Sequence, residues 1–223
     1  MMATFPLRST LLIALLAMVI AAWLPFDHGI TVMTGADHRL HVLVVGAMAL
    51  AGGWLARRAG LYCAGSVPVG LGWAAAVAAY VLVVDFGLAR SMLEPGTVAL
   101  AHQPLVGRLA VFMARAFNEN VIYRLFCFSA LAAGLRWLRG GAPLSLTMVL
   151  AAGFMAQFIN IGGNVMIGEW HVASGAMMAY WLARYLAPGV LYAWLYWRYG
   201  FVTAEMASVT CHIFLQPPFG WLI

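Results

Sequence analysis

The sequence predicts an all-α fold, a polytopic transmembrane helical bundle of about seven spans. Three observations carry this prediction. Apolar residues make up 65% of the 223 residues and charged ones 9%, too little polar surface to clothe a water-soluble globule. The apolar residues fall in runs of spanning length, divided by short stretches where arginine, glycine and proline collect. The basic residues are twelve arginines with no lysine, giving a formal charge of +5, and in a membrane protein such an excess reports loop topology and lipid contact. Membrane lipids are therefore expected partners, and nucleic acid is not.

Residues 9–24 form the first run, after Arg8. It is longer than the apolar core of a signal peptide, and Trp23-Leu24-Pro25 offers no small-residue cleavage site, so a retained span is expected. A polar loop follows with Asp27, His28, Asp37, His38 and then His41. His38 and His41 share a helical face, but histidines at a membrane interface are commoner than ligands, and neither metal nor cofactor is expected.

The second span is 41–56, closed by Arg57 and Arg58, and the third is 67–88, with Asp85 near its end. Residues 90–115 are amphipathic and are expected to lie along the interface before the fourth span, 117–138. Gly140-Gly141-Ala142-Pro143 is a turn into a fifth span, 144–161. The sixth, 172–198, is expected to break at Ala187-Pro188-Gly189, and the seventh, 201–216, to stop at Pro217-Pro218. Cys63, Cys127 and Cys211 are odd in number and lie mostly in apolar runs, as buried thiols do. No linker or repeat divides the chain, so one domain, 1–223, is expected.

Arginines in the short loops orient the bundle with its N-terminus in the cytoplasm. Glu119, Asn160 and His212, far apart in sequence, then all fall in the outer half of the membrane. Ionisable residues inside spans are costly and are usually functional. Glu119 and Arg124 lie within such a run.

Glu119-Asn120-Val121-Ile122-Tyr123-Arg124 resembles the Glu-Glu-x-x-x-Arg motif of the CAAX prenyl protease and bacteriocin-processing (ABI) family of intramembrane proteases, with Asn120 in place of the second Glu. Trp197-Arg198-Tyr199-Gly200 and then His212-Ile213-Phe214-Leu215-Gln216 are similar to that family's closing motifs, with Gln216 in place of Asn. Asn160 stands where the family carries the His of its middle motif. The likeness covers 105–216, the motif-bearing half. It implies an intramembrane glutamic-type peptidase without a cofactor, acting near the outer face of a bacterial inner membrane. A peptide or protein with a membrane-embedded tail would be the substrate. Glu119 would be the base, His212 and Gln216 would face the developing oxyanion, Asn160 would orient water, and Arg124 would need a new counter-ion, Glu119 itself among the choices. The altered positions leave as the alternative a non-catalytic relative that binds a partner's transmembrane or lipidated tail.

Overall fold

The computed structural model describes residues 5–24, 34, 37–93, 95–164 and 174–223. Asp27, His28, Glu94 and His171 lie outside the described residues. Within them the chain is helical, and no strand is present. Seven long helices build one bundle: α1 (Leu7–Trp23), α2 (His38–Ala59), α3 (Val67–Leu88), α4 (Leu105–Leu138), α5 (Leu146–Asn164), α6 (residues 175–199) and α7 (Phe201–Leu222).

Local chemistry sets several of the boundaries. Asp37 caps α2, its Oδ1 accepting from the backbone N–H groups of Arg39 and Leu40 at 2.9 and 3.0 Å. This gives Asp37 a structural task beside the two histidines. Gly60, with φ +75°, closes α2 in the left-handed conformation, and Arg57 and Arg58 occupy its last turn. The loop that follows is tied to the start of α7 by bonds from Phe201 N to Tyr62 O at 3.1 Å and from Val202 N to Cys63 O at 3.0 Å. Burial pushes the Cys63 thiol above the usual range, and no disulfide joins the three cysteines.

Small residues let the helices approach closely, because a lipid-solvated bundle is held by packing and not by hydrophobic exclusion alone. A Cβ added at Gly52 of α2 would lie 2.7 Å from the Leu125 carbonyl of α4, and one at Gly70 of α3 would lie 2.7 Å from Met206 Cβ of α7. Either would force the helices apart.

Four of the described helices, α2 to α5, are long and apolar enough to cross a membrane. Of the seven predicted spans, length and composition qualify four among the described residues. α1 is apolar but 17 residues long. Glu205, His212, Gln216 and two prolines thin the apolar run of α7.

Three boundaries differ from expectation. Residues 90–115 are not one interfacial segment. A turn at Arg90–Met92 and a short helix, Pro95–Ala101, precede Leu105, from which a 34-residue helix runs through the predicted fourth span. Its middle, Asn120–Phe128, is π-helical, so the first motif sits on a widened turn. The break at Pro188 is absent: Leu182–Leu186 winds as a π-turn, and α6 continues through the proline into Ala187–Tyr199. A π-turn just ahead gives the proline ring room and relieves the carbonyl it would otherwise orphan. Nor do Pro217 and Pro218 stop α7, which runs to Leu222. Tertiary contacts hold its last turn, with Phe219 edge-on to Phe86 at 5.1 Å and Arg90 Nη2 donating to Leu222 O at 2.9 Å.

Candidate functional site

A cavity of about 730 Å³ opens between α3, α4, α5, α6 and α7. Glu119, Arg124, Asn160, His212 and Gln216 all line it. Glu119 and Arg124 come from α4, Asn160 from α5, and His212 and Gln216 from successive turns of α7. Five positions spread over nearly a hundred residues therefore meet at one cavity between the helices.

Glu119 Oε1 accepts from Arg115 Nε at 2.6 Å, one turn earlier on the same helix, and this half-exposed pair sits on the cavity wall. Glu119 is therefore not locked against Arg124. The bond fixes the carboxylate's direction through one oxygen, and no described donor meets Oε2. The imidazole of His212 stacks on Phe112 of α4, with ring centroids 5.4 Å apart and planes 20° apart. Its Nδ1 is buried without a hydrogen-bond partner.

Arg124 finds a neutral partner in place of an acid. Its Nη2 donates to Oε1 of Gln157 on α5 at 2.5 Å, and its guanidinium lies 5.7 Å from the Tyr192 ring centroid. A ladder of amides continues from there. Asn160 Nδ2 donates to the same Gln157 oxygen at 3.4 Å, and Asn164 Nδ2 donates to Asn160 Oδ1 at 2.7 Å and to the Tyr123 hydroxyl at 3.0 Å. Both ends of the Asn160 amide therefore have a partner on its own helix. Gly189 on α6 makes the arrangement possible: a Cβ there would overlap the Gln157 amide.

Two groups outside the predicted set complete the polar interior. Asp85 on α3 is fully buried, 2.9 Å from Arg184 Nε, and its Oδ1 accepts from the Tyr180 hydroxyl at 3.0 Å. Arg184 lines the cavity. Glu205 on α7 lies beside Asn120 and within the field of Arg124. Its two carboxylate oxygens and both polar atoms of Asn120 are buried with no hydrogen-bond partner. Neither of two further arginines is its partner: Arg184 is taken by Asp85, and Arg198 stacks on Tyr199.

Gln157 was missed by reading motifs, although a signal was there. Gln157, Asn160 and Asn164 recur at three- and four-residue spacing, which puts three amides on one face of an otherwise apolar helix. No family model, curated protein or solved structure matches this chain.

Proposed function

We propose that the chain is an intramembrane glutamic-type endopeptidase of the CAAX protease-like class, cutting a membrane-anchored or C-terminal-tail peptide near the outer face of a bacterial inner membrane. On this reading it crosses about seven times with its N-terminus in the cytoplasm. The observation that supports it best is the convergence of Glu119, Arg124, Asn160, His212 and Gln216 on one cavity. Peptide hydrolysis needs a base for water, donors for the oxyanion and shelter from bulk solvent. Glu119 takes the proton of a water placed against its open oxygen. His212 and Gln216, one turn apart on α7, face the carbonyl oxygen from across the cavity. Arg115 keeps the carboxylate aimed.

The test is cleavage of a co-expressed, membrane-anchored substrate. Glu119→Gln keeps the hydrogen bond to Arg115 but cannot accept the proton, so cleavage is expected to vanish while the protein still purifies as a folded species. His212→Ala is expected to slow it by about a hundredfold, the usual effect of losing an oxyanion donor. Cleavage unchanged in Glu119→Gln would remove this carboxylate from the mechanism.

A second reading, a non-catalytic binder of a partner's transmembrane or lipidated tail, is favoured by the engaged amide of Asn160. An amide held in a ladder cannot replace an imidazole in proton transfer. In that case the wild type cuts nothing, and Glu119→Gln retains the same bound partner.

A further inference from the structure

Three arginines line the cavity, and one of them is unlike the others. Arg115 pairs with Glu119 and Arg184 with Asp85, whereas Arg124 has no carboxylate within 4.0 Å among the described residues. Arg124 is 5% exposed, so its charge is held largely out of water. Its hydrogen bond runs to the neutral oxygen of Gln157, which uses one of five N–H donors. Glu205 does not line the cavity, and neither of its oxygens meets a donor. A buried guanidinium of this kind is a place where an incoming anion gains most, because ligand and protein charges meet with water already excluded.

The rest of the wall says what carries the anion. Gln157 on α5 keeps its Nε2 group outside the ladder and Gln216 on α7 its whole amide, and together these match the donor and acceptor pair of a peptide group. An acyl chain has no use for them. We infer that Arg124 anchors the terminal carboxylate of a peptide tail held in the cavity, with the amides of Gln157 and Gln216 beside it reading the last peptide groups. This deepens the peptidase reading and rests on the cavity being a peptide site.

The experiment measures binding to the full chain in detergent, so it needs no bond to be cut. The probes are an N-acetylated tripeptide of leucines ending in a free carboxylate, the same peptide ending in a carboxamide, and oleate. The acid is expected to bind about tenfold or more tightly than the amide, as a charge-assisted contact does against a neutral one. Arg124→Gln should bind the two alike. Gln157→Glu keeps the guanidinium but supplies a carboxylate from within, and should also erase the preference, which covers the case in which Arg124→Gln fails to fold. Equal affinity for acid and amide in the wild type, or a preference that survives Gln157→Glu, would overturn the assignment. Oleate binding as tightly as the peptide acid, with the same dependence on Arg124, would overturn the peptide part of it. Cleavage that ignores Glu119→Gln would sink the peptidase reading yet leave this result standing.

Discussion

Two arginines look into the same cavity from opposite surroundings. Arg184 meets Asp85 at 2.9 Å, with the Tyr180 hydroxyl on the same carboxylate and Tyr185 OH at 2.5 Å from Nη1. Arg124 meets an uncharged amide and the face of a tyrosine. The first cluster satisfies its charges from within, as buried ion pairs must if they are not to destabilise the fold. The second leaves part of that task undone, with a dry carboxylate, Glu205, too poorly placed to complete it. A bundle that arranges one complete ionic cluster and one incomplete one around a common volume has a fixed frame at one end. At the other it has a place for a charged guest.

The comparison can be broken most severely at Asp85. Asp85→Ala removes the acid that faces Arg184 and is expected to cost about 3–5 kcal/mol, the usual penalty for stranding one member of a buried pair. A drop in the folded fraction and thermal midpoint in detergent would read this. A midpoint within a degree or two of wild type would show that the cluster is dispensable.

A smaller effect is expected on the Arg124 side, through Gly189. Its missing side chain is what admits the Gln157 amide. Gly189→Ala should therefore push Gln157 off Arg124, costing about 1–3 kcal/mol as overpacking does. Gln157→Ala should relieve the clash, so the double variant is expected to be less destabilised than the sum of the two singles. Strict additivity would show that Gly189 and Gln157 do not share this space.

The smallest change is expected at Glu205, and its sign sharpens the contrast. Asp85 is held by donors, whereas neither oxygen of Glu205 meets one. Glu205→Gln should leave stability within about 1 kcal/mol of wild type, or raise it, because an amide is cheaper than a carboxylate to bury without partners. A loss as large as that of Asp85→Ala would mean that Glu205 is the true counter-charge of Arg124.

Much of this candidate site is legible in the sequence. Glu119, Arg124, Asn160, His212 and Gln216 stand out because each interrupts an apolar run, and a polar side chain in such a run must face protein or a wetted space. The same logic could have found Gln157, whose spacing to Asn160 and Asn164 marks one helix face. Pairing was not legible. Arg124 has Glu119 five residues away, yet it donates to Gln157 of another helix, a partner that no local spacing announces. Glu119 then turns to Arg115, which a regular turn places four residues behind it. Helix ends at proline were misjudged for a related reason. The local penalty of Pro188 and of Pro217-Pro218 is real, but a π-turn absorbs the first and contacts from Phe86 and Arg90 outweigh the second.

By itself, then, the sequence determined that this chain is a bundle of apolar helices with a small set of inward polar groups, since the periodicity and cost of burying those groups are local properties of the chain. The tertiary structure alone decided which acid meets which base. Ion pairing inside a bundle depends on distances of a few ångströms between helices that are remote in sequence. Those distances are set by where Gly52, Gly70 and Gly189 let backbones and side chains approach and where π-turns rotate a face.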